Sequence, residues 1–190
     1  MAGLEPFGPF SDAFLIPPRR FSDDRGWFED VWNAERFRSQ TGVAPQFVQD
    51  NASRSGARGT VRGLHFQAPP FAQAKLVRCP RGAIHDVIVD IRHGSPTFGR
   101  WAGATLTEDN GHQLWVPRGF AHGFVTLEPD SEIAYKVDNP YSAEHDAGIL
   151  WNDPALGIEW PFDTSAAILS DKDGSAPKLA DLPVLFEYQS

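Results

Sequence analysis

The sequence predicts an all-β fold, a jelly-roll barrel or sandwich with short peripheral helices, mainly toward the C-terminus. Three observations predict it. From about residue 46 to 138, short apolar runs follow one another, separated by Gly, Pro and Asp turns. The run 83–91 alternates with period two: Val87, Val89 and Ile91 share one face, and Ile88 lies with the carboxylates Asp86 and Asp90 on the other. Glycine (17 residues) and proline (16 residues) are plentiful, which suits many turns.

Taken in order, Leu15-Ile16-Pro17-Pro18 ends a short strand. Phe21 to Gly26 reads as a turn and Trp27 to Trp32 as a strand. Asn33 is placed to cap a short helix from Ala34 to Arg38, stopped at Thr41-Gly42. Strands are expected at 46–53, 60–67, 73–79, 83–91, 100–106, 112–116, 123–127 and 132–137. Residues beyond 140 are rich in Asp, Pro and Gly and read as loops and short helices wrapping the barrel. The chain of 190 residues is thus expected to form one domain, with residues 1–10 as an arm that is loose or contacts a partner subunit.

The net charge of -8 argues against non-specific nucleic-acid binding, although local Arg and Lys can still line a pocket for a small anion. The single cysteine, Cys79, reads as a reduced core thiol and cannot close an intrachain disulfide. No apolar run is long enough for a membrane helix, and no basic-then-apolar leader opens the chain. The expected location is cytoplasmic, with no membrane partner.

The chemistry concentrates in Gly59-Thr60-Val61-Arg62-Gly63-Leu64-His65-Phe66-Gln67, continued to Lys75. This stretch has the layout of the cupin metal motif, Gly followed after five residues by His-x-His, then Glu and Gly. Here Gln67 replaces the second His, and Lys75 stands six residues before Gly82, where the Glu belongs. A divalent ion needs deprotonated donors, and an ammonium repels it, so no metal is expected. The site reads instead as one rebuilt for organic chemistry, with His65 as a base and Lys75 as a fixed positive charge. Pro117-Arg118-Gly119-Phe120-Ala121-His122 supplies the second half-motif and puts His122 at the barrel mouth. On strand alternation, residues 61, 63, 65 and 67 share a face; Arg62 joins them only if a bulge intervenes near Gly63. Tyr135 reads either as a proton donor or as a core or rim aromatic. Asp171-Lys172-Asp173 reads as a solvated loop, or as one whose carboxylate reaches His65 and fixes its tautomer.

Several segments give the chain a resemblance to a known family. They are Asp24-Arg25-Gly26, Phe47-Val48-Gln49-Asp50-Asn51, Arg62-Gly63-Leu64-His65-Phe66-Gln67, Lys75-Leu76-Val77-Arg78-Cys79 and Ser95-Pro96-Thr97-Phe98-Gly99. Further on come Gln113-Leu114-Trp115-Val116-Pro117, Ala121-His122-Gly123-Phe124, Leu150-Trp151-Asn152-Asp153 and Leu169-Ser170-Asp171-Lys172-Asp173. Over residues 21–179 the chain resembles the dTDP-4-dehydrorhamnose 3,5-epimerases. The resemblance implies a cofactor-free jelly-roll enzyme, usually a homodimer. Such an enzyme inverts two carbons of a dTDP-linked 4-keto-6-deoxyhexose on the route to L-rhamnose. It implies His65 as base, Tyr135 as opposing proton donor, Lys75 near the keto oxygen and Asp173 as partner of the base. It further implies Arg25, Gln49, Asn51, Arg62, Gln67, His122 and Lys172 as holding the nucleotide sugar, and Tyr141 as stacking on the thymine. Two positions depart from the family pattern, since Asp30 and Asp146 stand where glutamates are usual.

Three other readings compete: a relative that inverts only one carbon, a metal-dependent cupin using His65, His85 and His122, and a sugar-binding jelly roll without turnover.

Overall fold

The computed structural model describes residues 4–189. The described residues form twelve strands: β1 (Phe14–Ile16), β2 (Arg20–Asp23), β3 (Gly26–Glu29), β4 (Gln49–Ser55), β5 (Val61–Gln67), β6 (Lys75–Arg81), β7 (Ala83–Asp90), β8 (Trp101–Thr107), β9 (Gln113–Val116), β10 (Phe120–Thr126), β11 (Ser131–Val137) and β12 (Asp146–Gly148). Two short helices accompany them, α1 (Ala34–Thr41) and α2 (Asp171–Gly174). Two five-stranded sheets, β1-β9-β6-β11-β4 and β12-β5-β10-β7-β8, make up the jelly roll. The predicted all-β class is therefore correct.

Three apolar clusters hold the layers. Between the sheets lie Val77, Cys79, Ile84, Ile88, Leu106, Leu114, Phe124 and Ile133. The outer face of the β5-β10-β7 sheet carries Val61, Leu64, Phe66, Val87 and Val89, covered by Ile149, Trp151, Leu156, Trp160 and more of the C-terminal segment. The outer face of the other sheet carries Phe14, Ile16, Leu76 and Trp115 under Phe37 of α1. The central strands β7 and β10 are buried on both faces, whereas β4, at the edge of its sheet, keeps exposed side chains.

Several local expectations hold with adjusted limits. Asn33 does cap α1, its side chain accepting from Arg36 N at 2.9 Å, and Gly42 closes the helix in the left-handed region at φ 76°. The strand expected at 27–32 stops at Glu29. The turn expected at 21–26 narrows to Asp24-Arg25, because Arg20 to Asp23 pairs with Gly26 to Glu29 as a hairpin. β12 went unforeseen: three residues pairing with β5 leave too short an apolar signal. Of the arm expected at residues 1–10, the described part begins at residue 4. Phe10 is 1% exposed and meets Phe120 edge-on at 4.9 Å, entering the layer between the sheets.

Candidate active site

The site is set by an irregularity in β5. Its pairing with β10 runs His122↔His65 and then Phe124↔Arg62, so β5 carries one extra residue at Gly63-Leu64. Gly63 sits at φ 121°, and a Cβ there would meet Gly123 Cα at 2.6 Å, so only glycine fits. The bulge settles the facing of Arg62. Arg62 and His65 both line one cavity; Val61 touches it too, but packs with Leu64 and Phe66 in the outer cluster and pairs with Val125 of that cluster. The simple alternation that grouped residues 61 and 65 is thereby corrected.

The cavity measures about 420 Å³ and is lined by Arg62, His65, Lys75, His122, Tyr135, Lys172 and Asp173, with Ser53, Thr60 and Ser170 among the smaller polar groups. His65 Nε2 pairs with Asp173 Oδ1. Asp173 Oδ2 accepts from Ser170 Oγ at 2.9 Å, and Ser170 Oγ accepts in turn from Asp173 N at 3.2 Å. Burial pushes the Asp173 carboxyl up, but its bonds to His65 and Ser170 outweigh this and hold it below the usual carboxylate value. With Nε2 engaged by a carboxylate, the neutral imidazole keeps its proton there, and Nδ1 is the basic nitrogen.

Lys75 is 8% exposed and donates to the His65 carbonyl at 3.3 Å. Burial pulls its ammonium down to about 8, while Asp86 and then Asp146 pull it up and Lys172 pushes it down. His122 Nε2 bonds Asp86 Oδ1 at 2.7 Å. Burial lowers the His122 imidazole below its ordinary value, against the opposing pull of Asp86. Tyr135 reaches the cavity from β11, in the sheet facing His65. Burial raises its phenol, so it stays protonated at neutral pH.

The other expected contacts divide. Lys172 lines the cavity and is held by Asp146 at 2.5 Å; Asp146 also accepts from the Tyr141 hydroxyl at 3.1 Å. The shorter carboxylate at Asp146 thus still ties two expected ligand contacts together. Asn51 stands across from Tyr135 in the β4–β11 register and accepts from Gln49 Nε2 at 2.8 Å. Gln49 Oε1 accepts from Tyr141 N at 3.0 Å.

Gln49, Asn51, Tyr141 and Asp146 are outside the lining of this cavity, and three further expected contacts are engaged or placed elsewhere. Gln67 is 4% exposed and uses its amide on backbone, donating to Phe71 O and Pro140 O and accepting from Ser142 N. It tethers the segment that carries Tyr141. Arg25 lies on the β2–β3 hairpin beside Asp23, its side chain 90% exposed. Asp30 pairs with Arg36 at the start of α1. His85 stands on the opposite face of β7 from Asp86, against Trp160 and Gly103, so the three histidines of the metal reading do not converge. Among the described residues, no three His, Cys, Asp or Glu side chains gather as a metal site.

The sequence reading missed two supporting residues. Asp86 shares a strand face with Ile88 and Asp90 in the sequence pattern, which does not say whether that face points inward; the structure buries it at 0% exposure. Ser170 was signalled by its spacing ahead of Asp173, the Ser-x-x-Asp pattern of a helix cap.

Comparison with known proteins agrees with this geometry. The family model described as dTDP-4-dehydrorhamnose 3,5-epimerase matches residues 8–181. A dTDP-4-dehydrorhamnose 3,5-epimerase of Sinorhizobium fredii is 58% identical over 178 residues, covering 94% of this chain and 90% of its own. The crystal structure of the Bacillus anthracis enzyme of that name, with TDP and PPi bound, superposes with a TM-score of 0.86 at 53% identity, over 90% of this chain and 96% of that one. A dTDP-6-deoxy-D-glucose-3,5-epimerase of Legionella pneumophila, in complex with dTDP-4-keto-L-rhamnose, superposes with a TM-score of 0.92 at 40% identity, over 97% and 98% of the two chains. A jelly roll whose cavity holds His65 with Asp173, Lys75 and Tyr135, matched over nearly its whole length by these proteins, belongs to the dTDP-4-dehydrorhamnose 3,5-epimerase family.

Proposed function

We propose that this chain epimerises carbons 3 and 5 of dTDP-4-dehydro-6-deoxy-D-glucose to give dTDP-4-dehydro-L-rhamnose, without a cofactor, in dTDP-L-rhamnose biosynthesis. One observation carries the reading. A carboxylate-held imidazole and a protonated phenol face one cavity from opposite sheets, with a buried cation beside them.

The chemistry follows from the substrate. A ketone at carbon 4 acidifies the hydrogens on both neighbouring carbons. His65 Nδ1 takes one of them, and Asp173 stabilises the imidazolium that results. The charge moves to the keto oxygen, where Lys75 meets it; such preorganised stabilisation is often the largest single term. Inversion requires the new proton to arrive on the other face, and Tyr135 delivers it from the opposite wall. The same groups serve the second carbon after the sugar shifts, once the His65 imidazolium has released its proton to water and the Tyr135 phenolate has taken one up. Arg62 and Lys172 meet the diphosphate, and Tyr141 stacks on the base.

Arg25 fits this scheme through a homodimer. The β2–β3 hairpin exposes Phe21 (53%), Trp27 (60%) and Phe28 (67%), an apolar surface suited to a second copy of the chain. Docked there, the hairpin carries Arg25 toward the other subunit's cavity. Light scattering tests this, with a dimer expected for the chain and a monomer for Trp27→Asp.

The function is tested by NMR with dTDP-4-keto-6-deoxyglucose in deuterated water. Deuterium entering carbons 3 and 5, and lost in His65→Ala, supports the double epimerase. Deuterium at one carbon only reassigns the chain to a single-site epimerase, and none at all refutes the reading.

A further inference from the structure

Next to the cavity, the barrel interior holds a charged group that the proposed reaction leaves unused. Asp86 lies mid-strand in β7, opposite Phe124 of β10 and Ala104 of β8, with 0% exposure. One of its oxygens accepts from His122; the other, Oδ2, is buried without a hydrogen-bond partner. Lys75 is equally incomplete. Its ammonium makes one hydrogen bond, to a neutral carbonyl, and no ion pair among the described residues. An isolated buried charge is unfavourable by several kcal/mol. Two opposite charges in one low-dielectric interior offset each other over separations that water would screen.

We propose that Asp86 is a positioning residue, the counter-charge that keeps Lys75 cationic when the enolate forms, with His122 as the neutral donor that fixes its carboxylate. This rests on the role given to Lys75 above. The other groups around Lys75 do not supply that charge. Asp146 of β12 is engaged by Lys172 and Tyr141. Lys172 of α2 carries the same sign, and Asp173 of α2 is paired with His65. Tyr135 of β11 and His122 of β10 are held neutral by burial, and His65 of β5 offers only its carbonyl. Consistent with this, Asp86 is the foremost of the groups that oppose the burial effect on Lys75.

The chain has four lysines, Lys75, Lys136, Lys172 and Lys178, so labelling lysine Cε with ¹³C gives a simple spectrum, and Lys75→Arg identifies its signal. In the wild-type chain Lys75 is expected to titrate at about 8. In Asp86→Asn it is expected at least about one unit lower, a tenfold loss of the charged form above that pH. The alkaline limb of kcat moves with it, while KM changes by less than about threefold. Asp86→Glu keeps the charge and holds the titration within about half a unit. An unchanged Lys75 titration in folded Asp86→Asn overturns the proposal. Should Asp86→Asn not fold, a fall of a unit or more in Asp86→Glu overturns it instead. A wild-type chain without turnover would sink the epimerase reading and still leave the titration to decide this one.

Discussion

Asp173→Asn is the sharpest test of the base. The substitution is nearly isosteric, so its effect is electronic. In the wild type, Ser170 Oγ accepts from Asp173 N, and its one proton goes to Asp173 Oδ2. An asparagine must therefore turn its oxygen toward Ser170, which places its NH2 against His65 Nε2. That nitrogen becomes an acceptor, the ring proton moves to Nδ1, and the atom facing the substrate is no longer basic. The negative charge that stabilises the imidazolium is lost as well. Removing the charge from the same position of a Ser-His-Asp triad lowers kcat by about 10⁴, or roughly 5.5 kcal/mol. Here Asp173 is 4% exposed, so little water screens its charge, and a loss of about 10³ to 10⁴ in kcat is expected. Initial rates of deuterium incorporation by NMR measure it, alongside circular dichroism and dTDP affinity. A folded variant that binds dTDP normally and keeps kcat within about tenfold of wild type refutes the assignment of Asp173 and the tautomer argument with it.

Three further outcomes are expected. Lys75→Met removes a cation whose pKa burial has lowered from 10.5 to about 8, so the folded state binds that proton more weakly than the unfolded chain. The wild-type chain therefore gains stability as pH rises from about 8 to 10.5, and Lys75→Met removes that dependence, read by urea denaturation across the range. The same variant loses about 10² to 10³ in kcat; a variant that keeps the pH dependence and full activity refutes the reading. Tyr135→Phe keeps the ring and removes the proton donor. Product formation falls by about 10² to 10³, while His65-dependent exchange of substrate hydrogen with solvent persists; loss of both together would place Tyr135 outside the reprotonation step. Phe10→Ala empties a site that is 1% exposed and meets Phe120 edge-on, costing about 3–5 kcal/mol and lowering the melting temperature without changing KM.

Turn residues and period-two alternation determined the sheet content and placed Asn33 at its helix start, because those signals act over a few residues. His65, Lys75 and His122, read in order against a metal-binding pattern, already marked residues that line the pocket. Other features depend on contacts between residues distant in the chain. The bulge at Gly63 that turns Arg62 inward arises from the close approach of β10. His65 and Asp173 stand 108 positions apart, and the C-terminal segment must pack on the outer sheet face to join them. The family resemblance implied Gln67 as a ligand contact; only the placement of the 140–142 segment shows its amide bonded to backbone. Asp86 gains its significance in the same way, since a carboxylate on an inward strand face takes its meaning from the groups buried with it. Local chemistry fixed which residues were available, and burial in a shared low-dielectric interior decided which of them act on one another.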